Sequence, residues 1–428
     1  MSNDPAAPLD KRGQFIATRK RELFAALNTD FNLTEQHGEA PEQLYRLLNA
    51  TIHHEFLDEL ERLHEAYWHL DPGRSAGPTP DPDAAYAALS ESLERVLQSA
   101  NFEEVHPELV ERASTQAGRI RYPVRNGVAD FRAVRLFRRG AHTEHVVRRY
   151  FFGLRKRDVP IEVYDEVVLF AALKADPPPA GRLQRWRQRR KRPTPPGSVM
   201  IKCFHNIASA DLEALYPDVR VVMRTRDKLA LGVPALVAGI PLLIKLAPAF
   251  FVLYGLLRFY LGEPAPGTDG IGEALIVASG VIALGGFLMN QWMKYERRAL
   301  LYQREVNDMI YFHNVTNNVG IFDHIIGNAE EQETKEVLLA YVFLEAATDG
   351  LTEPELDARI EAWLAQRFGL ELDFEVDDAL RKLDRFGLLS RDGDRLSVLP
   401  MPAALAELDQ RWDDLFRFES PAAAIAAD

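Results

Sequence analysis

The run VMIKCFHNI sets Cys203 and His205 two residues apart in an alternating apolar stretch. On a strand, side chains alternate between faces, so thiol and imidazole share one. A cysteine beside a histidine is the start of a nucleophile–base pair. No acid or oxyanion-hole motif accompanies them in sequence, so the run reads as a core strand with a buried thiol. His53 and His54 raise the question of a metal site. A ligand on the same helix face would sit about four residues away, where the sequence offers Asn49, a poor donor, and Asp58, with no third ligand. A third group comprises His313, Asp323, His324, Glu330 and Glu331. Neighbours in a helix face apart, and no HExxH or Glu-x-x-His pair falls within this group. Glu330, Glu331 and Glu333 instead suit the start of a helix, where negative charge is stabilised. The reading therefore assigns no catalytic residue, no cofactor and no metal.

Charge is distributed unevenly. The 428 residues carry a net charge of -12, yet residues 119–228 hold 25 basic against 11 acidic side chains, and residues 330–428 hold 10 against 24. Separation of sign on this scale points to partners rather than to fold. The densest basic run, GRLQRWRQRRKRPTPPG, offers Arg182, Arg185, Arg187, Arg189, Arg190, Lys191 and Arg192 as contacts for anionic lipid headgroups. Trp186 alone is no ladder of stacking platforms, so nucleic acid is disfavoured. One cysteine excludes an internal disulfide and fits a reducing compartment. The N-terminus lacks the apolar core and cleavage site of a secretory signal.

These residues must be positioned by elements of several kinds. Residues 1–118 read as a helical N-terminal region, on the three- and four-residue spacing of Leu44, Leu47, Leu48, Ile52, Phe56, Leu60 and Leu63. Residues 119–228 read as a basic α+β domain, sheet-rich by its period of two, with a flexible insertion at 175–197. VMIKCFHNI is one of its strands, followed by a short helix, ADLEALYP, and a further strand, VRVVMR. Residues 229–293 carry two long apolar segments, read as a transmembrane helical hairpin. Lys245, inside the first, is a candidate intramembrane polar contact. Basic residues outside both ends of the hairpin place both termini in the cytoplasm. Residues 294–334 follow as juxtamembrane helices bending near Asn317, Asn318 and Gly320, with a new helix starting at NAEEQ. Residues 335–428 read as an acidic winged-helix-like domain, with Thr352 and Glu355 as a capping box and a hairpin turned at Asp392-Gly393. Its third helix carries Glu375, Asp377, Asp378 and Asp384, which DNA phosphates would repel.

With FHNVTNNVGIFDHIIGNAEEQETKEVLLAYVFL, VMIKCFHNIASADLEALYPDVRVVM and GVPALVAGIPLLIKL, the chain resembles the domain of unknown function 3754 family. Bacterial and plant proteins make up that family, and its animal member is the mitochondrial transmembrane protein 143. The resemblance covers about residues 120–400, with 306–344 its most specific part. It implies a membrane protein with paired spans and supplies no activity, cofactor or catalytic residue.

The expected fold class is thus an α+β membrane protein of the inner membrane. The expected function is a membrane-anchored adaptor or scaffold with cytoplasmic domains. Its partners would be anionic lipid through the basic domain and protein through the acidic C-terminal domain, with self-association open. A subunit of an oligomeric channel or transporter is the alternative, and an unrecognised membrane-associated enzyme is a third. No nucleotide-binding glycine loop, zinc spacing or G-x-S-x-G supports the third.

Overall fold

The computed structural model describes residues 13–73, 81–114, 124–125, 131–150, 155–174, 195–217, 220–221, 254, 260–261 and 270–415. Arg182 to Arg192 and Lys245 lie outside them.

Two compact units divide the chain. The larger takes residues 1–117, 129–210 and 313–428; the smaller takes 118–128 and 211–312. In the larger unit the expected amphipathic helices form as α1 (Lys20–Asp30), α2 (Leu33–His37), α3 (Ala40–Trp68), α4 (Pro82–Ser99) and α5 (Pro107–Ser114). α3 turns the stripe of Leu44, Leu48, Ile52, Phe56 and Leu63 inward, as its spacing dictates. Asp81 caps α4, accepting from the backbone N–H groups of Asp83 and Ala84.

The sheet has five antiparallel strands in the order β1 (Glu103–Glu104), β3 (Phe131–Tyr150), β4 (Arg155–Leu173), β5 (Val199–Ala208) and β7 (Asn314–Asn317). β3 is continuous across Gly140, which takes φ +62 where the ladder steps from Arg139↔Glu166 to Ala141↔Tyr164. β5 pairs only with Val163–Ala172 of β4. Beyond that point β3 and β4 continue together as a two-stranded ribbon to the Tyr150↔Arg155 pair. The short helix expected after β5 is a 3-10 helix, Ser209–Leu215.

The centre of the larger unit is α7 (Gly320–Glu345). Sequence reading placed a bend around residues 317–320 and a fresh start at NAEEQ. The structure instead lays Asn314–Asn317 down as edge strand β7 and runs one helix through IIGNAEEQETKEVLLAYVF. Glu330, Glu331 and Glu333 therefore sit in the middle of a helix and cap nothing. Every residue from Gln332 to Leu344 is buried, because α1, α3, α4, α8 (Glu353–Phe368) and α9 (Val376–Arg385) all pack on α7.

The C-terminal elements follow in order: α8, α9, β8 (Leu389–Asp392), β9 (Arg395–Val398) and α10 (Met401–Asp414). The expected capping box forms, with the Thr352 N–H donating to Glu355 Oε2 at 2.9 Å. Asp392 pairs with Arg395, so the two-residue turn is Gly393-Asp394, one residue later than expected. Gly350 (φ +69) precedes an isolated bridge between Leu351 and Leu396. A Cβ at Gly350 would lie 2.8 Å from the Leu396 carbonyl oxygen, a backbone atom that cannot swing away. Gly350→Ala combines the left-handed penalty with overpacking. We expect a loss of about 2–4 kcal/mol, read as a lower urea midpoint at unchanged slope.

In the smaller unit, β2 (Val124–Arg125) pairs with β6 (Arg220–Val221), the only part of VRVVMR among the described residues. α6 (Gly270–His313) is one unbroken helix of 44 residues, of which residues 270–312 belong to this unit. The expected second membrane arm is its N-terminal half. No boundary separates that half from the charged KYERRALLYQREVND that follows. Among the described residues no helix is long and apolar enough to cross a membrane. That overturns the transmembrane hairpin at 229–293, the membrane fold class and the multi-pass inner-membrane placement. Of the first arm, only Tyr254, Tyr260 and Leu261 are described. What stands is a mixed fold of helices and an antiparallel sheet.

Candidate functional site

The helix-facing side of the sheet carries a row of polar residues. In the ladder Glu166 on β4 stands opposite Arg139 on β3 and opposite His205 on β5. One step along, Cys203 stands opposite Val168. Cys203 and His205 thus share a face, as the sequence spacing requires. α7 closes over this row and brings His324 and Asn328, one turn apart, down to Glu166.

Four groups meet there. Arg139 Nη2 donates to Glu166 Oε2 at 2.9 Å, and Asn328 Nδ2 donates to the same oxygen at 3.0 Å. His324 Nε2 lies 3.2 Å from Glu166 Oε1 and 3.2 Å from Asn328 Nδ2. The Glu166 oxygen, Cys203 Sγ and His324 nitrogen all fall within 4.8 Å of one another. Cys203 is fully buried, whereas Glu166 and His324 are half-buried. Burial pushes the Glu166 carboxyl up, but the hydrogen bond and charge of His324, the Arg139 guanidinium and Asn328 outweigh it and hold the carboxyl below its ordinary value. Burial pushes the Cys203 thiol far up, so by itself it is a poor nucleophile.

Arg139 anchors the row. Its guanidinium is 4.4 Å from the Phe15 ring and 4.9 Å from the Phe102 ring. Its Nη1 reaches the Ala100 carbonyl at 3.4 Å, and its buried Nε has no hydrogen-bond partner among the described residues. A charge so placed depends on Glu166 for compensation.

A second polar seam runs along α7. Lys335 Nζ donates to the carbonyls of Ile16 at 2.6 Å and Thr18 at 3.1 Å, and Gln332 Nε2 to Ile16 at 3.2 Å. Among the described residues the segment Gly13–Arg19 pairs with no strand, and these side chains satisfy its Ile16 and Thr18 carbonyls. Burial lowers the Lys335 ammonium pKa to about 8. Glu336 accepts from Lys382 Nζ at 3.1 Å and from Asn101 Nδ2 at 3.3 Å, and Glu333 lies 3.5 Å from Lys382 Nζ. Burial raises both carboxyls.

Of the groups singled out in sequence, His324 joins the Cys203 cluster. Its companions there are Glu166 and Cys203 from the sheet, and none of its sequence neighbours. His313 Nδ1 donates to the His205 carbonyl at 2.7 Å, stitching β7 to β5. His53 pairs with Glu330 at 2.8 Å and His54 packs edge-on to Trp412. Glu166, Asn328 and Arg139 escaped sequence reading. The signal was a carboxylate inside VYDEVVLF, a run apolar enough to be buried on both sides.

Residues 164–320 match the model of a family described as protein of unknown function (DUF3754), which bears out the resemblance read from the sequence. The matched segment is shorter than the 120–400 read from the sequence and ends within the 306–344 stretch. No solved structure matches the chain.

Proposed function

We propose that this chain, with its DUF3754 segment at residues 164–320, is an adaptor. Its helical body holds the β3–β4 ribbon against anionic phospholipid headgroups. Such a contact is made from outside the lipid and requires no crossing helix.

The supporting observation is the register at the end of the ribbon. Arg148 stands opposite Arg157, Arg149 opposite Lys156, and Tyr150 opposite Arg155. Like charges directly across a ladder destabilise it, so five cations in three successive pairs favour an anion between or beyond them. The strands rise about 3.3 Å per residue, which sets this end roughly 26 Å along β4 from its last pairing with β5 at Val163. Among the described residues no further strand pairs with the ribbon there. The connecting sequence between the strands is Phe-Phe-Gly-Leu, and apolar residues flanked in sequence by basic ones suit a headgroup region better than a nucleic-acid groove.

The test is co-sedimentation of the full chain with phosphatidylcholine vesicles, with and without phosphatidylserine. Each basic side chain near such a surface contributes about 1 kcal/mol. Replacing Arg148, Arg149, Arg155, Lys156 and Arg157 with glutamine should therefore lower recovery on the anionic vesicles at least tenfold and leave neutral vesicles unaffected. Equal recovery of both proteins on anionic vesicles would remove the proposal. Loss of duplex DNA binding in the variant, without loss of vesicle binding, would redirect it to nucleic acid.

A further inference from the structure

We infer that Glu166, Cys203 and His324 form a binding site for one divalent transition-metal ion of the zinc class. The argument starts from a mismatch of hydrogen-bonding roles. Asn328 must present its NH2 to the Glu166 carboxylate, since oxygen against oxygen at 3.0 Å would repel. His324 Nε2 then faces an amide donor at 3.2 Å on one side and carboxylate Oε1 at 3.2 Å on the other. If Nε2 carries a proton it opposes the amide; if it carries its lone pair it opposes the carboxylate. No tautomer satisfies both contacts. A cation held between Nε2 and Oε1 removes the conflict between those two atoms, each turning a lone pair to the metal, while the Asn328 amide keeps its bond to Oε2.

The spacing fits that role. Zinc binds imidazole nitrogen and carboxylate oxygen at about 2.0–2.2 Å, and a tetrahedron of that size has an edge of roughly 3.3 Å. The Oε1–Nε2 separation is 3.2 Å. Cys203 Sγ completes the triangle from the buried side, within 4.8 Å of both, and closes on the ion with a shift of about 1 Å given a Zn–S distance of about 2.3 Å. Binding a metal deprotonates a thiol outright, and the released proton leaves to solvent. Arg139 and Asn328 hold Oε2 and so aim Oε1 at the site, the arrangement by which outer groups orient a ligating carboxylate. Carboxylate, imidazole and thiolate together suit zinc or cobalt and are a poor match to calcium or magnesium. Glu166 and His324 remain part-exposed, which gives the ion a way in.

Cys203 is the only cysteine in the chain, so a cobalt–thiolate charge-transfer band can have one source. The full chain is stripped with chelator and titrated with cobalt(II), then with zinc(II) against a chromophoric competitor. One equivalent should bind, with a near-ultraviolet charge-transfer band that zinc abolishes. Cys203→Ser should lose the band, and His324→Gln should weaken binding at least tenfold. His205→Gln, a neighbour on the same face outside the set, should change neither. Far-ultraviolet circular dichroism matching the wild type shows that each variant is folded. Zinc should also slow modification of Cys203 by a thiol reagent in the wild type and not in His324→Gln, a readout that needs no folded Cys203 variant. Absence of the band in the wild type, or full affinity in His324→Gln, would overturn the site. Vesicle binding by the ribbon stands or falls separately from either result.

Discussion

Lys382→Ala is expected to lower the stability of the helical body by about 3–5 kcal/mol, the range for stranding a buried charge. Lys382 lies on α9 and is 7% exposed. It compensates Glu336 at 3.1 Å and Glu333 at 3.5 Å, both on α7 and both buried. Alanine removes the cation the two buried carboxylates share, leaving Glu333 the more distant charge of Arg385. Urea unfolding monitored by circular dichroism measures the loss, which is a large part of the 5–15 kcal/mol typical of a whole domain. The pH dependence follows from the direction of the carboxyl shifts. Burial raises both groups, so the native state binds more protons than the unfolded chain above the ordinary carboxylate pKa, and stability falls as pH rises from there. The deficit of Lys382→Ala should be smallest below that pKa, where both groups are protonated in either state, and should grow toward neutrality. Adding Glu336→Gln to Lys382→Ala should recover part of the loss. Equal deficits at low and neutral pH would show that packing, and not charge, is what Lys382 provides.

Glu166→Ala is the second large effect. It leaves the Arg139 guanidinium, only 6% exposed, with the Ala100 carbonyl and two aromatic rings as its remaining company. A loss of about 3–5 kcal/mol is again expected. Here the linkage has the opposite sign. The folded carboxyl is held below its ordinary value, so its stabilisation is fully present above the unfolded pKa and disappears as pH falls through the folded one. The difference in stability between wild type and Glu166→Gln should shrink in acid and be constant near neutrality. If the difference persists unchanged under acid conditions, the carboxylate charge is not what Arg139 requires.

How far the sequence speaks for itself depends on whether a residue's partner is near in the chain. The stripe of α3 and the Thr352 capping box follow local rules, and both stand as read. The period of two in the basic domain corresponds to β3, β4 and β5, with β3 running unbroken through Gly140. α7 was misread at its start because Asn317, Asn318 and Gly320 are strong breakers, and they break the chain between β7 and α7. Glu330, Glu331 and Glu333 then looked like terminal charges, when the helix in truth begins ten residues earlier. The Glu166 cluster was the least legible part. Its carboxylate and thiol lie 37 positions apart in the chain, on strands whose pairing no local pattern announces. The apolar segment at 271–292 satisfied the length rule for a span, and continuity of α6 beyond it was invisible to a window of that size.

The segment Gly13–Arg19 has a consequence for how the molecule is made. Its carbonyls wait for Gln332 and Lys335, more than 300 residues later, and for the Asp373 N–H. During synthesis at about 5–20 residues per second, this segment emerges well before its partners and finds its seat only after them. Until α7 has left the ribosome, Ile16 and Phe15 have no interior to enter. Closure of this body is therefore a late, long-range event, slow by topology.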